Sequence, residues 1–323
     1  MLDASVVICT RNRCAQLARA LESVRQIQAG EALRYEVVVV DNASGDATAD
    51  VVRAFQADSP VPCRYVWEGE PGISAARNRG VRESRGRIIA FADDDVVVDA
   101  GWLSALVGAY GEHGAAAAGG RILPRWPGGE PAWYSERIGG PVAHLDYGPA
   151  PRDVSGTDRL LWGANFSVAR SWLTRMGGFD ARLGRKGRPF PIGEDTELLQ
   201  RIVAGGGRVI YVPGAVVWHV VGPRRARRTY FRKWYYAFGR THGRMVRLAG
   251  VKVSAGLLAR QVRDFIQGLV RYCPAWLCRG RRAAFEEELH MWQAWGGLVE
   301  LCRPGAGRGL ASAAQTVENG RSY

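Results

Sequence analysis

Within the first hundred residues, short runs of β-branched and apolar side chains alternate with helix-period segments, a pattern that commits a chain to βαβ units and a mainly parallel sheet. Ser5-Val6-Val7-Ile8-Cys9-Thr10 reads as a buried strand, followed by a helix through Leu17, Leu21 and Val24. Tyr35 to Val40 is a second strand ending at Asp41-Asn42-Ala43-Ser44, with a helix from Asp46 to Phe55 behind it. Cys63 to Trp67 is a third strand, and Gly72 to Ser84 is a loop entering a helix. Arg87 to Ala92 is the fourth strand, and it runs directly into Asp93-Asp94-Asp95. Parallel strands point their carboxyl ends the same way, so Thr10, Asp41 and Asp93 converge on the sheet edge where open α/β folds bind ligands.

Three aspartates between a strand and a helix can also form a solvated turn with a helix cap. Here the preceding run is apolar enough for burial, and the next helical pattern (Trp102, Leu103, Leu106, Val107, Tyr110) starts only after Asp99. The carboxylates therefore lie on a connection and offer hard oxygen ligands to a divalent cation, Mg²⁺ or Mn²⁺, with a phosphate-bearing substrate. Neither the Gly-x-Gly-x-x-Gly fingerprint nor a Walker phosphate loop occurs.

Length and composition narrow the classes. The 323 residues can bury a sizeable core as one large domain or two smaller ones, and 47 % hydrophobic with 23 % charged residues excludes wholesale disorder. No apolar segment approaches the roughly 18 to 20 residues that span a bilayer, and no signal-peptide layout opens the chain. Six scattered cysteines (Cys9, Cys14, Cys63, Cys273, Cys278, Cys302) lack metal-ligand or disulfide-framework spacing, which predicts free thiols in a reducing cytoplasm. The formal charge of +13 calls for an anionic partner.

Further along, 123–158 breaks into Trp, Pro, Gly and Tyr, too long for a simple connection and so functional or partly mobile. Leu160 to Val168 regains order and contains Trp162-Gly163-Ala164-Asn165-Phe166. Gly193-Glu194-Asp195 opens a helix closed by Gly205-Gly206-Gly207, and Arg208 to His219 is a final strand. After Pro223 come basic and aromatic helices; the tail beyond Arg303 is expected to fray.

Taken together, these segments resemble the family 2 glycosyltransferases, inverting enzymes of the GT-A fold that use nucleotide-activated sugars. The match runs over about residues 4 to 220 through several motifs in order: Ser5 to Arg13, Val39-Val40-Asp41-Asn42-Ala43-Ser44, Gly72 to Gly80 with Arg77-Asn78, Asp93-Asp94-Asp95, and Glu194-Asp195. The resemblance implies a Rossmann-like, mainly parallel mixed sheet flanked by helices with a C-terminal helical extension. It divides the chain into a nucleotide-sugar half (1–120), an acceptor half (121–222) and a basic aromatic extension (223–323).

It also implies roles. Thr10, Arg11, Asp41, Arg77, Asp93 and Asp94 would meet the donor, with Asp41 on a nucleobase for which uridine is favoured and Asp94 alternatively a structural neighbour of the Asp93 and Asp95 pair. Asp95 would hold the metal on the diphosphate, where a cation stabilises the charge of the departing group. Asp195 would be the general base that takes the acceptor hydroxyl's proton. Trp162, Gly163, Asn165 and Glu194 would line the acceptor and sugar side. Glu194 and Asp195 also read as charge complementing a helix N-terminus, and His219 reads either as a third metal ligand or as a structural histidine.

Processive members carry Gln-x-x-Arg-Trp between membrane spans. Here Thr229-Tyr230-Phe231-Arg232-Lys233-Trp234 lacks the glutamine, which points to transfer of a single sugar to a glycan or lipid-linked acceptor. Between His219 and Gly250 nine Lys or Arg residues and no Asp or Glu are interleaved with aromatics. The segment Arg224 to Arg247 is accordingly expected either to dock on an anionic membrane surface from the cytoplasmic side, or to pack as a helix with a solvated basic face. Two rivals stand beside this reading: a catalytically silent scaffold on membrane or nucleic acid, and a sugar nucleotidyltransferase. The first leaves Asp41, Asp93, Asp95 and Asp195 without a purpose, so no nucleic acid is expected. The second lacks its Gly-rich opening.

Overall fold

The computed structural model describes residues 2–30, 33–157, 160–184, 193–248 and 250–303. The tail expected to fray lies outside them. The chain opens β1 (Ala4–Thr10), α1 (Cys14–Arg25), β2 (Tyr35–Asp41), α2 (Thr48–Asp58), β3 (Cys63–Trp67), α3 (Ile73–Glu83) and β4 (Ile88–Asp93). It continues through β5 (Val96–Val98), α4 (Trp102–Glu112), β6 (Ala117–Arg125), β7 (Arg152–Asp153), β8 (Asn165–Ala169), α5 (Arg170–Met176), α6 (Glu194–Ala204) and β9 (Val209–Val220). The last elements are α7 (Arg228–Leu248), α8 (Ala255–Pro274) and α9 (Gly280–Leu301).

The strands form one sheet in the order β3-β2-β1-β4-β8-β6-β9-β5, with β7 beside β9. The first four are mutually parallel; β8 is antiparallel to both β4 and β6, and β6 is parallel to β9. The sheet is thus the expected mixed, mainly parallel one. Every residue of β2 is buried, as its run of four valines requires of a central strand covered on both faces. β6 crosses the expected division between residues 120 and 121, so the two halves anticipated from sequence share a single sheet.

Two local features bear on the site. β5 went unread because three residues give too short a run for periodicity. Its antiparallel register sets Val96 opposite His219, and the Val220 N–H bonds the Asp95 carbonyl at 3.0 Å. Between β6 and β9 the register slips, Gly120 facing Val212 but Ile122 facing Val217. A Cβ at Gly120 would collide with the Ala215 carbonyl, so the bulge needs glycine there.

The described residues fall into two compact units. One lies within Met1–Pro127, Val142–Pro189 and Gly193–Val221, the other within Gly128–Pro141 and Gly222–Tyr323. In the second, α7 and α9 approach so closely that a Cβ at Gly239 would meet the Gln293 carbonyl, and one at Gly296 the Tyr236 carbonyl. Phe231, Trp234 and Tyr235 of α7 are buried, and Arg232 and Arg240 pair with Glu288 and Glu300 of α9. Of the two expectations for Arg224 to Arg247, the packed helix describes this arrangement: Phe231, Trp234 and Tyr235 belong to the core of this unit, where burial removes their apolar surface from water, while Tyr230, Tyr236 and Phe238 are half-buried.

Candidate active site

The strand ends meet as the sequence requires. In register, Thr10 lies beside Asp41 and Cys9 beside Asp93. The Thr10 hydroxyl donates to Asp94 Oδ2 at 2.8 Å, and Arg13 Nη1 donates to Asp94 Oδ1 at 2.8 Å and to Asp95 Oδ2 at 3.0 Å. Burial, with Asp95 beside it, pushes the Asp94 carboxyl up to about 6 against the opposing pull of Arg13 and Thr10. Those same carboxylates raise the pKa of the Arg13 guanidinium despite its own burial. His219 is buried, and its Nε2 lies 3.5 Å from Asp95 Oδ1.

Loop geometry fixes the second strand end. The Asn12 N–H donates to Ser44 Oγ at 2.9 Å, and the Gly45 N–H returns a bond to Asn12 Oδ1 at 2.7 Å. Both loops turn through a left-handed residue, Asn12 at φ 52° and Ala43 at φ 59°. The alanine is the costly one, and positions of this kind cluster at ligand clamps. Asp41 accepts from the Ser44 N–H and the Tyr65 hydroxyl, each at 2.8 Å. Asn42 holds the neighbouring loop, donating to the Glu68 and Glu70 carbonyls and accepting from the Gly72 N–H.

A third group surrounds Arg77. Its buried guanidinium donates to Glu194 Oε1 at 2.7 Å and to the Gly163 carbonyl at 3.3 Å, and lies 3.5 Å from Asp93 Oδ1. The rings of Phe91, Phe166 and Phe179 stand 5.9, 5.7 and 5.5 Å away. Burial works against the Arg77 charge, but Glu194, Asp93 and Asp195 outweigh it and hold its pKa above the ordinary value. Asp195, at the N-terminus of α6, accepts from the Gly163 N–H at 2.6 Å and from the Thr196 N–H at 2.8 Å. The contacts run unbroken from Asp93 through Arg77 to Gly163 and Asp195. A Cβ on Gly163 would stand 2.6 Å from Arg77 Nη2 and 2.8 Å from Asp195 Oδ2, so only glycine fits.

The sequence profile described as "Glycosyl transferase family 2" matches residues 5–182. The chain belongs to glycosyltransferase family 2. It is a glycosyltransferase, which sets aside the scaffold and nucleotidyltransferase readings. Among relatives, the succinoglycan biosynthesis protein ExoM of Rhizobium meliloti is 29 % identical over 76 % of this chain and 75 % of its own. The glucosyl-dolichyl phosphate glucuronosyltransferase of Haloferax volcanii is 29 % identical over 68 % and 69 %. Among solved structures, the mannosyltransferase PcManGT of Pyrobaculum calidifontis, in complex with GDP-Man and Mn²⁺, superposes at a TM-score of 0.61. It covers 91 % of this chain and 86 % of its own at 18 % identity, and thereby shows the GT-A fold.

Several residues with expected roles in this glycosyltransferase are held by partners within the protein. Asn165 is fully buried: Oδ1 accepts from the Trp102 indole at 2.7 Å, and Nδ2 donates to the Arg121 and Ala215 carbonyls at 2.8 and 2.7 Å. It satisfies carbonyls that the β6–β9 bulge leaves without a regular ladder partner, so it supports the fold. Asp94 is turned inward onto Thr10 and Arg13. Glu194 is committed to Arg77, and Arg77 positions the surrounding carboxylates from a buried place. Arg11 is exposed, and it is Arg13 that reaches the aspartates. Its position inside Thr10-Arg11-Asn12-Arg13 was the available signal, but which of two arginines turns inward depends on the left-handed bend at Asn12. Trp162 is half-buried against the core.

A divalent ion finds partial accommodation. Among the described residues no three His, Cys, Asp or Glu side chains are spaced to hold one unaided. Asp95 and His219 offer two donors side by side, and Asp95 Oδ2 is held by Arg13. That set suits an ion that takes most of its shell from phosphate oxygens and water, as Mg²⁺ commonly does.

Proposed function

We propose that this enzyme transfers one glycosyl unit, with inversion, from a nucleoside diphosphate sugar to a hydroxyl of a glycan or lipid-linked acceptor. The observation that carries the reading is Asp195. Its carboxylate is fixed by two backbone N–H groups at a helix N-terminus, and joined through Gly163 and Arg77 to Asp93 at the end of β4. Oδ2 accepts from the Gly163 N–H and keeps a further lone pair for the acceptor's proton, while Oδ1 accepts from the Thr196 N–H and, at 3.5 Å, from the Thr196 hydroxyl. As the acceptor oxygen attacks the anomeric carbon, Asp195 takes that proton. The bond from that carbon to the diphosphate breaks, and its electron pair leaves with the nucleoside diphosphate.

Asp41, flanked by Tyr65 and Ser44, is the group for the base, with uridine favoured. Asp95 and His219 would hold Mg²⁺ or Mn²⁺, which supplies charge neutralisation of the leaving diphosphate. Arg13 adds a fixed positive charge at the same edge. Two solved relatives of the fold carry Mn²⁺ with GDP-Man and with UDP and GalNAc, which supports a metal-assisted nucleotide sugar. The dolichyl phosphate in one relative's name supports a lipid-linked acceptor.

The experiment is a thermal-shift titration with UDP, GDP and their sugars in Mn²⁺, Mg²⁺ or EDTA, paired with a transfer assay on Asp195→Asn. A metal-dependent shift with UDP is expected in both proteins, and transfer only in the wild type. Loss of nucleotide binding together with transfer would remove Asp195 from the role of base. A shift indifferent to EDTA, or unchanged in Asp95→Ala, would remove the metal.

A further inference from the structure

One strip of α8 is left uncovered by its own unit. Val262, Ile266, Leu269, Val270 and Cys273 recur at helical spacing on a single face, and Trp276 and Leu277 carry the strip into the turn Ala275–Arg279. These are large side chains in water: Leu269 is 57 %, Val270 67 % and Leu277 72 % exposed. Loose helix contact is not the cause. On the other face Gly268 sits so close to α9 that a Cβ there would stand 2.6 Å from Met291 Cγ. A contiguous apolar strip of this kind marks an interaction surface.

Charge selects its occupant. From Lys252 to Arg282 there are seven Lys or Arg residues against Asp264 alone. Arg263, paired with Asp264 at 3.4 Å, flanks the strip on one side with 62 % of its side chain exposed, and Arg279, paired with Glu287 at 3.3 Å, continues it at 53 %; ion pairs of such exposed arginines are weak enough for a lipid phosphate to compete. On the other side lies Phe265, 6.2 Å from the ring of half-exposed Trp295, an aromatic suited to a headgroup boundary. A second copy of the chain would bring two basic rims together. Residues 304–323 offer only Leu310 and Val317 as large aliphatic side chains, too few to cover the strip. No helix among the described residues is long and apolar enough to cross a membrane.

We propose that α8 and the turn after it form an interfacial anchor. Val262, Ile266, Leu269, Val270, Trp276 and Leu277 lie at the headgroup–acyl boundary of an anionic lipid bilayer, with Arg263 and Arg279 on lipid phosphates. The anchor thus belongs to α8 and not to the Arg224 to Arg247 segment. It rests on this unit alone and stands or falls independently of the base assignment at Asp195.

The test is co-sedimentation of the full chain with vesicles of phosphatidylcholine, with and without phosphatidylglycerol, while tryptophan fluorescence is recorded. The wild type pellets with the anionic vesicles, less so in high salt, and its emission shifts to the blue. The double variant Ile266→Glu/Leu269→Glu lowers the partition coefficient by about tenfold or more, the loss expected for two apolar side chains. Arg263→Glu/Arg279→Glu weakens binding to anionic vesicles, and Arg224→Glu/Arg225→Glu leaves it intact. Circular dichroism checks that each variant is folded; if the first is not, Trp276→Ala/Leu277→Ser carries the same test. Failure of the wild type to bind anionic vesicles overturns the proposal, as does wild-type binding by the α8 variants. A concentration-dependent dimer lost in Ile266→Glu/Leu269→Glu, without vesicle binding, would assign the strip to a second copy.

Discussion

Replacing Asn165 by alanine separates a structural from a sugar-binding role more sharply than any other single change. The side chain makes three hydrogen bonds, to the Trp102 indole and the Arg121 and Ala215 carbonyls. Alanine leaves these three groups with no side chain to bond, and the two carbonyls lie where β6 and β9 are out of register and cannot absorb them. A buried polar group left unpaired costs about 1 to 3 kcal/mol. Partial relaxation of the bulge keeps the sum at roughly 3 to 5 kcal/mol, a large share of the 5 to 15 kcal/mol that holds typical domains together. Urea unfolding followed by far-ultraviolet dichroism reads the loss as a lower midpoint with little change in slope. Nucleotide affinity and transfer per folded molecule should stay near the wild-type values. A stability loss under about 1 kcal/mol, well short of even one orphaned group at full cost, would refute the reasoning. So would unchanged stability with transfer abolished, and the latter result would return Asn165 to the sugar.

Other changes test the rest of the cluster. Gly163→Ala pushes a methyl group against both Arg77 and Asp195, and transfer should fall about a hundredfold, as displaced catalytic groups commonly show, with nucleotide-induced thermal shifts retained. Arg77→Met strands the buried Glu194 carboxylate and should cost about 3 to 5 kcal/mol in a denaturant titration, most of it recovered in Arg77→Met/Glu194→Gln. Burial pushes the Cys9 and Cys63 thiols up to about 12, while Cys273, Cys278 and Cys302 are exposed. The thiolate is the reactive form, so a raised pKa means little labelling near neutral pH. Alkylation of Cys9 and Cys63, followed by peptide mass spectrometry, should be slight near neutral pH and should keep rising with pH for as long as the protein stays folded.

How much was legible varied with the range of the interaction that decided each feature. The parallel strands β1 to β4 were readable because their burial on both faces writes itself as runs of valine and isoleucine. Their direction then forced Thr10, Asp41 and Asp93 to one edge. β5 was not readable, since Val96–Val98 becomes a strand only by pairing with β9 more than a hundred residues later. Arg13 was passed over for Arg11, because the turn at Asn12 chooses between them. The role of Asn165 was invisible for a like reason: a polar residue in an apolar strand looks the same whether it awaits a ligand or satisfies a bulge.

The amphipathic helices of the C-terminal unit show the same division. Their composition, basic and rich in aromatic residues, is set by the sequence. Which face is spent on the core is not, because α7 and α9 close through glycines whose partners meet only in three dimensions, and Phe231, Trp234 and Tyr235 of α7 are buried there. For this protein the sequence alone determined the family, the parallel sheet and the edge that carries the carboxylates, all of which follow from local burial and chain direction. The tertiary structure decided which of those carboxylates are buried supports and which remain within reach of a substrate. That outcome depends on long-range pairing and on the cost of leaving a buried charge or carbonyl without a partner.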